Sequence, residues 1–210
     1  MKKTLSVLIS IMLIILCFSA CSSQSNEPTK MVEMNASYVG FSSFDEAFYS
    51  ADLVVYGEVK ELKASHFPSW DVNKWYCKTP VVLNVLDVIK GEGIGDTVTY
   101  ESMGGVIGNT KYVSDAYLTD DLTIGSKVLV FLVIDDRDGA YTCISPVTTF
   151  LEDENGKIPV LVSLLPASYS ENAEKGIGTL LSVDVDTDEV IGLIKKEYKL
   201  WEAKNAPAAD

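Results

Sequence analysis

The chain has a single histidine, His66, and that limits the chemistry its side chains can do. Zinc sites built on several histidines are excluded. A Ser-His-Asp triad would have to use His66, and no Gly-x-Ser-x-Gly elbow is present to carry its serine. A thiolate pair of His66 with Cys77 has no spacing in its favour. Beside Phe67-Pro68, His66 is expected as an exposed or stacked loop residue.

Carboxylates offer two clusters. Asp184, Asp186 and Asp188 alternate like the start of a calcium loop, but the sixth place, a glycine in an EF-hand, is Glu189 and the twelfth is Lys195. Acids ahead of a helix, where they favour its N-terminal dipole, are the simpler account. Asp135, Asp136 and Asp138 read as a solvated hairpin turn. A weak calcium site is the other reading of that cluster, and Asp135 with Asp138 would serve an exported carboxylate-dependent enzyme. No residue is assigned to catalysis, to a metal or to a cofactor.

Recognition chemistry is better represented. The segment HFPSWDVNKWYCKTP places Phe67, Trp70, Trp75 and Tyr76 inside about ten residues. Such rings suit sugars, peptides or exposed apolar partners. With Tyr112 and Tyr117, from the glycine-led stretch after Gly104, they form the candidate binding face. The competing reading is that these rings close one end of the fold as core. Cys77 and Cys143 are either a disulfide of an exported protein or two buried free thiols.

The elements that must position these residues follow from the hydrophobic period. Phe44, Ala47 and Phe48 give a short helix through Ser50, capped by Ser42 or Ser43. From Ala51 the period becomes two, predicting a long strand with a bend or bulge at Gly57. Further strands are expected over Val81 to Lys90, Thr97 to Ser102 and Val128 to Ile134, the last apolar on both faces and therefore central. The stretch holding Gly104, Gly105, Gly108, Tyr112 and Tyr117 is expected as an irregular loop. Tyr141 to Phe150 is a further strand, and Asn155-Gly156 signals a hairpin into Ile158 to Val162. Residues 165 to 185 carry no clear pattern. Asp186 with Glu189 forms a capping box for a final helix, 186–204, with Val190, Ile194, Tyr198 and Trp201 on one face. Five or six strands with a short first helix and a packed last helix predict a mainly β fold, a small barrel of the oligonucleotide/oligosaccharide-binding (OB) kind.

The first twenty residues carry an address. Lys2 and Lys3 precede an apolar run from Leu5 to Phe18, too short for the roughly 20 residues of a spanning helix, as in an export signal. Phe18-Ser19-Ala20-Cys21 resembles the lipobox of bacterial lipoproteins, although Phe18 stands where an aliphatic residue is usual. The resemblance implies cleavage before Cys21 and attachment of diacylglycerol and further acyl chain, such as palmitate, giving the two or more chains that stable anchoring requires. The protein is then expected on the extracytoplasmic face of the cell membrane. Residues 21–36 read as a flexible tether, 37–204 as one domain, and 205–210 as a disordered tail. Losing Lys2 and Lys3 leaves 15 basic against 30 acidic residues, a net charge of −15. That sign excludes a nucleic-acid partner, which needs a basic face. The 190 residues after the signal are also short for a two-lobed solute-binding component.

From Asp45 to Val160 the order of features is similar to that of netrin-like modules and tissue inhibitors of metalloproteinases. The residues that carry it are Ala51-Asp52-Leu53-Val54-Val55-Tyr56-Gly57-Glu58-Val59, then Val88-Ile89-Lys90-Gly91, then Gly125-Ser126-Lys127-Val128-Leu129-Val130-Phe131-Leu132. These are strand patterns, so the resemblance implies fold before activity. The animal inhibitors chelate their target's zinc through an unblocked N-terminal cysteine in a Cys-x-Cys start. This chain has no Cys-x-Cys, and Cys21 is expected to carry lipid. The functional expectation is a surface-anchored, non-catalytic module for a protein, peptide or glycan, with the enzyme or a protease-inhibitor-like module as alternatives.

Overall fold

A computed structural model describes residues 28–34, 41, 44–114, 121–144, 148–161 and 182–205. The expected signal, Cys21, the caps Ser42 and Ser43, Tyr117 and residues 206–210 lie outside them. The described elements are β1 (Lys30–Glu33), α1 (Phe44–Ser50), β2 (Leu53–Leu62), β3 (Lys78–Lys90), β4 (Thr97–Met103), β5 (Gly105–Ile107), β6 (Thr110–Val113), β7 (Lys127–Ile134), β8 (Tyr141–Cys143), β9 (Thr149–Leu151), β10 (Lys157–Leu161), β11 (Ser182–Asp186) and α2 (Thr187–Asn205). Among them, no helix is long and apolar enough to cross a membrane.

The main sheet runs β2-β3-β4-β8-β7-β9, and β2 also pairs with β7, which closes five strands into a barrel with β9 as the extra strand. All barrel pairings are antiparallel except β4 with β8. The fold is therefore mainly β and OB-like, as the sequence predicts.

Alternation along β2 and β7 explains why Val128 to Ile134 reads as apolar on two faces. Leu53, Val55 and Val59 with Val128, Val130 and Leu132 point into the barrel, together with Leu83 and Tyr100. Val54 and Tyr56 with Leu129 and Phe131 point outward, into a second core made with Phe48 of α1, Phe150, Ile158, and Val190 and Ile194 of α2. Gly57 lies at a register shift between β2 and β3, where a Cβ would come within 2.8 Å of the Asn84 carbonyl oxygen. The expected bulge is present, and close backbone approach is its cause.

Two ends of this second layer are pinned by charge. Asp186 Oδ1 accepts the N–H groups of Asp188 and Glu189 at 3.1 and 3.3 Å, capping α2 where the sequence places a cap. The Lys90 ammonium donates to the Phe48 carbonyl at 2.8 Å and to the Ala51 carbonyl, so the lysine of the Lys-Gly pair holds the carbonyls at the end of α1. Trp201 reaches the rings of Tyr49 and Tyr198 at 5.0 and 6.3 Å while staying partly exposed.

Four boundaries differ from the sequence reading. Tyr141 to Phe150, expected as one strand, is two, β8 and β9, which pair with different halves of β7, at Leu132–Ile134 and Val128–Val130. Residues 30–33, expected in the tether, form β1 and pair in parallel with β6. The stretch after Gly104, expected as irregular loop, forms the β5–β6 hairpin that receives β1. Asn155-Gly156 does turn the chain, but β10 takes its partner from β11 rather than from β9. Short-range periodicity cannot find a strand of three or four residues whose partner lies 80 positions away.

Candidate functional site

In OB barrels ligands meet the loops between strands 1 and 2 and between strands 4 and 5. Here those loops join β2 to β3, carrying the aromatic segment, and β7 to β8, carrying Asp135 to Ala140. Asp71 builds the first loop from inside. It is buried, its N–H donates to the Pro68 carbonyl at 2.9 Å, and its carboxylate accepts the Tyr76 N–H at 2.6 Å. Lys74 takes a left-handed conformation, φ 57°, to close the turn, and its N–H donates to the Asp71 carbonyl at 3.1 Å.

The two loops are clamped together. Lys78, 3% exposed at the start of β3, sets its ammonium 3.3 Å from Asp135 and 3.6 Å from Asp138. Arg137 grips Asp135 with Nε and Nη2, both at 2.8 Å, and lays its guanidinium 3.7 Å from the centre of the Trp70 ring. The Trp70 indole N–H donates to Asp138 at 3.1 Å. Asp135 is thus 7% exposed, which corrects the reading of a solvated turn for this one residue; Asp136 and Asp138 are exposed, as expected. A carboxylate between two cations loses its desolvation penalty to them. The Arg137 hydrogen bonds, with help from Lys78 and against burial, hold the Asp135 carboxyl down at about 2.

This arrangement occupies the carboxylates of Asp135 and Asp138. Both Asp135 oxygens are engaged by cations, and Asp138 receives Trp70 and the Ala140 N–H. A base held so low takes up no proton near neutral pH. Among the described residues no group of three acidic, histidine or cysteine side chains could hold a metal ion. His66 forms an isolated bridge with Lys78 through reciprocal backbone bonds of 2.9 Å, and its half-exposed ring stands 3.9 Å from Glu101. Burial raises the Glu101 carboxyl above its ordinary range, against the pull of His66 and Lys78.

Cys77 and Cys143 are both free and buried, so of the two readings the bridge is not formed. Cys77 immediately precedes β3 and Cys143 ends β8, and these two strands flank β4 on opposite sides. Two strand spacings come to about 9–10 Å, beyond the roughly 7 Å a disulfide spans. Burial pushes each thiol up to about 11, which leaves neither as a thiolate nucleophile.

The aromatic residues do converge. Phe67 meets Tyr112 edge to face at 5.3 Å, and Trp70 meets Tyr76 at 5.6 Å. Lys74, Trp75 and Tyr76 of the loop, Val32, Glu33 and Met34 of the β1 segment, and Tyr112, the register partner of Val32 on β6, line an open cavity of about 240 Å³. The Cys77 N–H points at the Met34 sulfur at 3.3 Å, which ties the loop to the β1 segment at one end.

Within this face the residues divide by role. Trp75 is 67% exposed and Val72 87%, whereas Trp70 is half buried inside the clamp. Trp75→Ala is therefore expected to change stability by less than about 0.5 kcal/mol, as exposed positions do. Trp70→Ala should cost roughly 1–3 kcal/mol, through its lost stacking, hydrogen bond and packing. Urea unfolding of the two variants checks this, and equal losses would make the whole loop core.

Asp71, Lys78, Arg137 and the β1 residues are absent from the sequence reading of the face. Only an OB alignment of the two loops would have paired Lys78 with the acidic turn. No family model matches the chain, and no curated protein matches it.

Proposed function

We propose that this chain is a lipoprotein of the extracytoplasmic membrane face, tied there through acyl chains on Cys21, whose barrel serves as a non-catalytic binding module. One observation carries the binding reading: aromatic side chains from the β2–β3 loop and from β6 converge on an open cavity at the loop end where OB barrels receive ligands. β1, which lines the cavity together with Trp75, begins nine residues after Cys21. Nine extended residues span roughly 30 Å, so an anchored Cys21 keeps the cavity close to the bilayer. The sequence motif at residues 18–21 supports the anchor, and the occupied carboxylates of the β7–β8 turn speak against the enzyme alternative built on them.

Metabolic labelling tests the anchor. A radiolabelled fatty acid is expected to mark the wild-type chain and to leave Cys21→Ser unlabelled and released from the membrane fraction. Equal labelling of both would overturn it.

A further inference from the structure

We infer that the occupant of the cavity is an extended polypeptide segment that adds as a further strand to the outer edge of β1. The inference rests on reading the cavity as the ligand site and goes beyond it by naming the ligand's class.

Among the described residues, β1 is the last strand of the sheet β1-β6-β5 and pairs on one side only. The N–H of Lys30 donates to the Asn109 carbonyl at 3.1 Å and that of Met34 to the Val113 carbonyl at 2.8 Å. Backbone polar groups alternate in direction along a strand, so those of Met31 and Glu33 point away from β6. Among the described residues nothing pairs with them. Such a row of free donors and acceptors is a template for another strand. Lys30 and Glu33 at the ends of β1 are charged, as edge strands that avoid pairing tend to be, but Met31 between them is 65% exposed.

The cavity lies beside this strand, lined by Val32, Glu33 and Met34 and by Trp75. A strand added at Met31 and Glu33 would direct every second side chain toward one face. An apolar or aromatic side chain there enters the space in front of Trp75, while the main chain takes up the free edge. A glycan could stack on Trp75, but it has no ladder of N–H and C=O groups to match Met31 and Glu33. The two features together therefore select a peptide.

The test begins with dodecapeptides selected from a random phage-displayed library on the exported chain, purified in detergent. The strongest is synthesised and titrated calorimetrically, then resynthesised with N-methyl groups on one or the other alternate set of residues. One set is expected to weaken binding at least tenfold and the other less than twofold. Glu33→Pro, which removes an outward N–H and leaves the β6 pairing, should weaken it at least fivefold, as should Trp75→Ala. The N-methylated peptides probe the same bonds from the ligand side, so the outcome does not depend on Glu33→Pro folding. Equal losses from both sets, with Trp75→Ala still weakening binding, would overturn strand addition and leave the cavity reading standing. Binding indifferent to Trp75→Ala and to Glu33→Pro would overturn both. If no peptide is selected, a panel of neutral oligosaccharides is titrated instead: binding that depends on Trp75 replaces the peptide with a glycan, and no binding also overturns the inference.

Discussion

Asp135→Ala is expected to destabilise the protein by about 3 kcal/mol, the cost of leaving a buried charge with too few partners. Asp135 stands between Lys78 and Arg137. Without it, Arg137 can turn to solvent, but among the described residues Lys78 keeps only Asp138, at 3.6 Å, as an ion-pair partner, besides the Trp70 ring at 5.4 Å. Lys78→Met should cost clearly less, because Asp135 retains both Arg137 bonds and the methionine fills the same path. Urea unfolding measures both, and a loss under about 1 kcal/mol for Asp135→Ala would mean the clamp is surface decoration. The pH profile carries the same information. The Asp135 carboxyl sits at about 2 in the fold against an ordinary 3.8, so its contribution is complete above about pH 4 and is lost as pH falls toward 2. In Asp135→Ala that part of the acid limb should flatten.

Gly105→Ala is expected to cost a comparable amount, roughly 2–4 kcal/mol, and to abolish binding at the cavity as well. Gly105 has φ 132°, where a side chain adds strain of about 1–3 kcal/mol. A Cβ there would also fall 2.1 Å from Ser65 Oγ and 2.2 Å from Thr79 Oγ1. Those hydroxyls bond each other at 2.8 Å, and through the Gly104 carbonyl and the Val106 N–H they fasten the start of the β5–β6 hairpin to β3 and to the residues after β2. Pushing them apart unseats the β5–β6 hairpin, with which β1 pairs. Circular dichroism melting and peptide titration together read the result. A stable variant with unchanged binding would show that the hairpin does not support the cavity.

How much of this was legible in the sequence depends on the distance over which each signal acts. The double apolar face of Val128 to Ile134 identified a central strand because both neighbours of that strand are cores. Asp186 and Glu189 marked the start of α2 because capping is decided within four residues. The aromatic cluster could be named as a face because Phe67, Trp70, Trp75 and Tyr76 lie in one loop. The rest of the cavity lining could not, since Val32 and Tyr112 are brought together only by a parallel pairing of β1 with β6. Lys78 reads as an ordinary loop lysine, short of the strand expected from Val81, until the β7–β8 turn is folded over it. Asp135 looked solvated with the rest of its turn for the same reason: its cations come from Arg137, inside the turn, and from a residue 57 positions away.

Sharing β2 and β7 between two cores has a consequence for how the molecule comes apart. A strand that is wall to both chambers cannot be released by one of them alone, so loss of the α2 layer strips one face from the barrel's closing pair. The two layers are then expected to open as a single cooperative unit, with the amides of β2 and β7 exchanging with solvent only through global unfolding. Among the described residues the β1–β6–β5 sheet contributes no side chain to either core. It is therefore expected to loosen before the barrel does, with its amides exchanging faster than those of β2 and β7, so that the cavity rim can adjust around a ligand.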